Sequence, residues 1–392
     1  MASLTSMRDR CYLSIDGEPM TALCRPNATT SPSNHKLCQQ KMQITPEVSC
    51  RIKLLRLPLI IGIVTIHSSI VSLGSTDKFF QTFIAGTWGG SCVAFLFILS
   101  GFLFFRNFNL SLNSYLEKLK SRFGTLLVPY LFWNLALLGM VLIVLNVPAT
   151  SSIIQGHYKQ YIGDYSLANF IDCLTGYKSG YPIAFHFWYV RDLITMVILS
   201  PVFLLVARKI PYIGLALFAA PWLLRLELGF INIQWLGPLF FYLGCLIAVK
   251  NLDLTWLDRQ KSLIIGIYLA MAVVLTAMET ADIQTFKHLF ECCTRVVGTA
   301  AIWCASDLVA GKLQKLLLNL SGLAFFVYAA HEPTVTVLKE VFDKLSKPSN
   351  SITVIIYYLL IATLATLVTL AVGTILQRYA PKFFQLITGA RG

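Results

Sequence analysis

The chain is a succession of apolar runs about twenty residues long, parted by short polar segments. Such a run is the length of helix that crosses the hydrocarbon core of a bilayer. Apolar residues make up 56% of the 392 positions and charged residues only 13%, against roughly 25% charged in a soluble domain. That excludes an ordinary soluble enzyme. It also excludes a disordered chain, which needs low hydrophobicity and high charge. The expected fold class is all-α: a polytopic transmembrane helical bundle.

About ten spans are predicted, at 52–73, 88–105, 124–147, 183–206, 210–224, 229–249, 262–278, 292–310, 316–337 and 351–376. The fifth is the weakest, being short and carrying Pro211 and Pro221. Even-numbered spans end at basic residues, and Arg51, Lys53 and Arg56 stand at the start of the first. An excess of Lys and Arg marks cytoplasmic segments, so both termini are expected in the cytoplasm. The formal net charge of +13 then reads as topology. The basic residues are scattered over many short segments, so membrane lipid and not nucleic acid is the expected partner.

Residues 1–50 are polar, without sustained period, and read as a flexible cytoplasmic tail. Met42 would serve as a start, which would leave residues 1–41 outside the natural chain. Residues 51–378 form the expected transmembrane domain, and 379–392 a basic cytoplasmic tail with Lys382 and Arg391. Ten cysteines include no pair of CxxC units, so no metal site is expected and the thiols read as reduced or inert.

Ionisable groups inside a bilayer are costly and direct attention to function. Arg56 and His67 lie eleven positions apart. At about 100° and 1.5 Å per residue they share a helix face, about 16 Å apart along the axis. His67 is flanked by Thr65, Ser68 and Ser69. The fourth span holds His186, Trp188, Arg191 and Asp192; adjacent in sequence, Arg191 and Asp192 are expected to point apart and to find other partners. In the ninth span, Pro333 after His331 and Glu332 is expected to free a backbone carbonyl near His331. Imidazole takes a proton from a hydroxyl at neutral pH, and arginine binds phosphate or polarises a carbonyl. These groups suit acyl or phosphoryl transfer, and equally a proton-coupled transporter or a flippase of a glycolipid or polar solute. Composition and spacing do not separate these.

Five segments, in order, resemble the integral-membrane acyltransferase-3 family, closest to its sugar and surface-polysaccharide O-acetyltransferases. They are Arg56 with His67; SGFLFFR, Ser100–Arg106; Tyr115, Lys118, Lys120 and Arg122 followed by LLVPYLFW; FHFWYVRDLI with LSP, Phe185–Pro201; and LSGLAFFVYAAHEP, Leu320–Pro333. The resemblance implies a membrane-bound O-acetyltransferase of the cell inner membrane. Acetyl-CoA would be the acyl donor, and a lipid-linked or cell-surface glycan the acceptor. It implies His67 as the catalytic histidine, as general base or as acyl carrier, with Arg56 its partner. Arg106, Lys118, Lys120 and Arg122 would meet the phosphates of coenzyme A, and Trp188, Arg191 and His331 would line the acceptor path.

Overall fold

The computed structural model describes residues 45–106, 108, 111–145, 166–226 and 232–390. Their regular structure is helical throughout. The helices are α1 (Pro46–His67), α2 (Ser75–Gln81), α3 (Gly90–Phe105), α4 (Leu112–Arg122), α5 (Val128–Leu145), α6 (Leu167–Thr175), α7 (Trp188–Ile198), α8 (Ser200–Lys209), α9 (Pro211–Leu223), α10 (Leu236–Val249), α11 (Lys261–Thr280), α12 (Lys287–Ser306), α13 (Gly311–Leu320), α14 (Ala324–Leu345), α15 (Ser351–Tyr379) and α16 (Pro381–Thr388). A π-helical stretch, Thr82–Gly89, joins α2 to α3, and another, Phe123–Leu127, joins α4 to α5.

Each of the ten predicted apolar segments overlaps a helix among the described residues. Five helical stretches among the described residues are long and apolar enough to cross a membrane: Ser75–Phe105, Leu112–Ile143, Leu254–Thr280, Gly311–Leu345 and Ser351–Tyr379. The pair Phe185–Ile198 and Ser200–Lys209, bent by 63°, makes a sixth if it is one broken span. The remaining four are short, as α9 and α10 are, or carry charge, as α1 does with Arg51, Lys53 and Arg56 and α12 does with Glu291 and Arg295.

The N-terminal tail lies outside the described residues up to position 44, but its last residues are already helix. Thr45 caps α1, its hydroxyl accepting from Val48 N (3.3 Å), as an N-cap threonine does. Residues 112–122 form α4, which continues through the π turn into α5. The C-terminal segment carries a packed helix. Helix α16 buries Phe384 and Ile387 against Leu323 and Phe326, and Trp133 Nε1 donates to the Ile387 carbonyl (3.0 Å).

The bundle centres on α3, most of whose residues are buried. In lipid, helices gain little hydrophobic free energy by associating, so they rely on close packing through small residues. Here α3 and α10 cross through two glycines. A Cβ on Gly101 would stand 2.2 Å from the Phe241 carbonyl oxygen, and one on Gly244 2.2 Å from that of Ile98. Neither oxygen can move without moving its helix.

A buried arginine ties the start of α1 to the rest. Arg51 is fully buried and pairs with both oxygens of Asp258 (2.6 and 3.0 Å) in the 3₁₀ turn Leu254–Gln260. It also donates to Ser306 Oγ (2.9 Å) and the Trp303 carbonyl (2.6 Å), and its guanidinium lies 4.1 Å from the centre of the Trp303 ring. Each of its three nitrogens donates to an acceptor, the condition under which a buried charge is tolerated.

Two outcomes follow for the purified protein in detergent. Gly101→Ala lowers unfolding stability by about 1–3 kcal/mol, the range for overpacking. Gly139→Ala, with nothing within 4 Å of its added carbon, leaves stability unchanged or raised. Asp258→Ala strands the Arg51 charge and costs about 3 kcal/mol; the double variant Arg51→Met/Asp258→Leu recovers part of that loss in the same thermal melt.

Candidate functional site

Three histidines from three parts of the chain meet in the bundle. His67 is the last residue of α1. Its helix stops there with Ser68, whose N–H and hydroxyl both bond the Val64 carbonyl (3.0 and 2.8 Å). Lys339 of α14 reaches across and donates to the carbonyls of His67 (2.6 Å) and Ser69 (2.7 Å), supplying donors to a helix end that lacks them. His186 lies in the 3₁₀ turn Phe185–Phe187 that leads into α7, and His331 on α14. The ring centres of His67 and His331 are 5.1 Å apart, those of His186 and His331 5.1 Å, and those of His67 and His186 6.5 Å. The hydroxyls beside His67 serve the helix itself: Thr65 donates to Gly62 O (2.7 Å) and Ser68 to Val64 O. The histidine alone faces the cluster.

The backbone fixes two of the tautomers. Proline at 333 has no N–H for the carbonyl four residues earlier, and that carbonyl, Ala329 O, bonds His186 Nε2 at 3.1 Å. The carbonyl that the sequence predicts to be freed is thus used by a histidine from another segment. A carbonyl only accepts, so Nε2 carries the proton and Nδ1 the lone pair. His331 Nδ1 bonds Tyr328 O at 2.6 Å, so by the same reasoning its lone pair is on Nε2. Both lone-pair nitrogens are buried and without a hydrogen-bond partner. Tyr328 completes the frame, its hydroxyl donating to the His186 carbonyl (2.7 Å).

Cavities flank this cluster. The first, of about 510 Å³, is lined by Arg56 and Arg122, by Ser100, Tyr189 and Tyr328, and by apolar side chains of α1, α3 and α7. The second, of about 880 Å³, is lined by Ile66, Trp188, Trp222 and Trp235 among others. A third, of about 420 Å³, shares Ile66, Glu291 and Arg295 with the second. Along α1, Arg56 opens on the first cavity and Ile66, next to His67, on the second. At the start of α7, Tyr189 lines the first and its neighbour Trp188 the second. Phe97 packs against both, 4.5 and 6.1 Å between ring centres. The Tyr189 hydroxyl meets Ser100 Oγ at 2.8 Å and donates to Leu96 O at 3.2 Å, pinning the partition to α3.

The predicted site residues divide. Arg56 and Arg122 line the first cavity, while the rings of His67 and His331 lie beside each other and line none of the three described cavities. Trp188 lines the second. Lys118 donates to the Phe104 carbonyl (3.3 Å) and sits over the Phe104 ring, steadying the end of α3. Arg106 ends α3, its N–H on Phe102 O (3.1 Å). Lys120 is exposed. None of these three lines a described cavity.

Arg191 departs furthest from expectation. It pairs directly with Asp192 (Nε to Oδ1, 2.8 Å) although the two are adjacent, because a long arginine can fold back onto its neighbour. Its other donors go to the carbonyls of Thr175 (3.3 Å), Gly176 (2.9 Å), Gly180 (2.8 Å) and Asn232 (3.0 Å). Asp192 in turn accepts from Gln234 N (3.3 Å). Arg191 is 3% exposed and lines none of the three cavities. It clamps the two loops that carry Tyr177 and Trp235 into the second one. His186 is the member of the cluster to which the sequence assigns no role. Its signal is the carbonyl left open by Pro333, which needs the fold to find its partner.

Among the described residues, Glu47, Asp258 and Asp307 bring carboxylate oxygens within 4.8 Å of one another. Arg51 holds Asp258 and Lys261 holds Asp307 (both 2.6 Å), so two of these three carboxylates are already neutralised.

The model of the acyltransferase-3 family, described as an acyltransferase domain, matches residues 51–376. The succinoglycan biosynthesis protein ExoH of Rhizobium meliloti (strain 1021) is 25% identical over 361 residues, covering 88% of this chain and 93% of that protein. No solved structure matches. On the family match over most of its length, carried by a bundle of membrane-length helices, this chain belongs to the acyltransferase-3 family.

Proposed function

We propose that the protein is an O-acyltransferase of the cell inner membrane that moves an acetyl group from cytoplasmic acetyl-CoA to a hydroxyl of a cell-surface or lipid-linked glycan. The observation that carries this reading is a cluster of three histidines whose neighbours open on separate cavities, Tyr328 on one with two arginines among apolar walls and Ile66 on another that is aromatic and polar. A donor with phosphates at one end of a long arm and a thioester at the other suits the first cavity. Arg56 and Arg122 would hold the phosphates as charge-assisted donors. The arm would run along Leu99, Leu103 and Val197 toward Tyr189 and Tyr328. The relative from Rhizobium meliloti is named for the biosynthesis of a glycan, in keeping with a sugar acceptor in the second cavity.

His67 is the base in this scheme. It takes the proton of the glycan hydroxyl as that oxygen attacks the thioester carbonyl, a role for which a neutral imidazole is suited. The new acyl–oxygen bond forms, the acyl–sulfur bond breaks, and the proton passes from His67 to the departing thiolate. His331 packs its ring beside that of His67 and would position the base by that contact. The alternative, an acyl group carried on His67 itself, uses the same residue, with the donor's thiol leaving before the sugar arrives.

Two measurements test this in membranes. His67→Ala abolishes acetylation of the host's surface glycans, read by mass spectrometry as loss of one acyl mass, with the protein still present; retained acetylation removes His67 from the chemistry. Arg56→Ala and Arg122→Ala each raise the KM for acetyl-CoA by about 10–100-fold, as the loss of a hydrogen bond to a charged group of about 1.5–3 kcal/mol predicts. Lys120→Ala leaves that KM unchanged.

A further inference from the structure

The second cavity has a character that the reading above does not use. Its walls carry Trp188, Trp222, Trp235 and Tyr177. The Trp235 indole N–H already donates to Leu226 O (2.6 Å) and the Tyr177 hydroxyl is taken by Thr195. These side chains therefore offer ring surface more than hydrogen bonds, the complement of the apolar C–H faces of a sugar. At about 880 Å³ the cavity lies toward the upper end of ligand pockets and holds more than one sugar unit.

Its charges are out of balance. Lys178, Arg225 and Arg295 line it against a single carboxylate, Glu291. Lys178 and Arg225 make no salt bridge among the described residues. Arg295 gives one end of its guanidinium to Glu291, while its Nε–H is buried and has no acceptor. The guanidinium lies against Gly90, its carbon 3.3 Å from where a Cβ would stand, so a side chain at 90 would displace it. A concave, low-dielectric site with surplus positive charge concentrates anions. Arginine is the residue best shaped to hold a carboxylate or phosphate through two parallel bonds. A neutral ligand would leave the surplus charge uncompensated.

We propose that this cavity binds an acidic glycan, whose carboxylate or phosphate group is held by Arg295 with Arg225 and Lys178 while its sugar rings lie against Trp188, Trp222 and Trp235. This rests on the acyl-transfer reading for its link to chemistry, since Ile66, the residue before His67 on α1, lines the cavity. Arg191 is a positioning residue for it, through the loops at 175–180 and 232–234. The oxyanion has two sources, an acidic sugar of the chain or the diphosphate of a lipid-linked sugar.

The test is direct binding to the purified full-length protein in detergent, followed by tryptophan fluorescence without acyl donor. The probes are a uronic-acid oligosaccharide, its carboxyl-reduced neutral counterpart, and a prenyl-diphosphate-linked neutral sugar. At least one anionic probe binds ten-fold or more tighter than the neutral one, and which of them does so identifies the source. Arg295→Gln removes that preference, and Glu291→Gln, which releases Arg295 from its partner, strengthens it. Arg225→Gln, at an exposed position, weakens it about three-fold and serves if Arg295→Gln does not fold. Equal binding of neutral and anionic probes, no binding of any probe, or a preference that survives Arg295→Gln overturns the proposal. The titration uses no chemistry, so His67→Ala leaves it intact. A failed acyl-transfer reading shows instead as absence of transfer in a protein that still selects acidic probes.

Discussion

The arrangement depends on how closely two helices pass at its centre. Where α3 and α10 cross at Gly101 and Gly244, backbone meets backbone with no side chain between. Such contact replaces the hydrophobic drive that soluble proteins have and lipid withholds. It fixes α3, and α3 in turn carries Phe97 and Ser100, against which the Trp188–Tyr189 turn is set. The division of the interior into two chambers therefore rests on two residues that have no side chain at all.

The arginines show what polar groups in an apolar chain are for. Arg51 and Arg191 bond all three guanidinium nitrogens inside the protein, to carboxylates, to backbone carbonyls and, for Arg51, to the Ser306 hydroxyl. Arg56, Arg122 and Arg295 face cavities. The first kind builds walls and the second meets what lies between them. Both stand in apolar sequence and look alike there. Only the loops brought round to Arg191 reveal that it holds the wall of the second cavity and does not line it.

Much of the frame was legible because apolar length has one consequence in lipid. Each of the ten predicted segments overlaps a helix among the described residues, and α1 carries both Arg56, at a cavity, and His67, in the cluster. The number of crossings was less legible, since α1 and α12 carry charged side chains in helices of spanning length and a count of apolar residues cannot see the partner that neutralises them. Of the cluster, His67 and His331 stand out as histidines in apolar helices. His186 sits in a short 3₁₀ turn, where no periodicity marks it, and its place depends on a carbonyl 143 positions away. The basic residues Arg106, Lys118, Lys120 and Arg122 read as one anion site, yet only Arg122 lines a described cavity. Lys118 shares a helix face with Arg122 and lies with it over the Phe104 ring, but bonds the Phe104 carbonyl, while Lys120, two positions from each, faces elsewhere.

The π-helical stretch between α2 and α3 bears on how the chain tolerates change in length. Ala85 and Gly86 of that stretch line the second and third cavities. Upstream of it, Asp77 accepts from the N–H groups of Leu73 and Gly74, and Gln81 accepts from that of Ile70, folding the segment after His67 back onto α2. Each helical residue turns the chain by about 100°. Removing one residue from the wide turns would rotate α2 against α3 by about that angle and carry Asp77 and Gln81 off their partners. In this stretch the spacing is held more strictly than the identity of any single side chain, so point substitutions and single deletions there are very different perturbations.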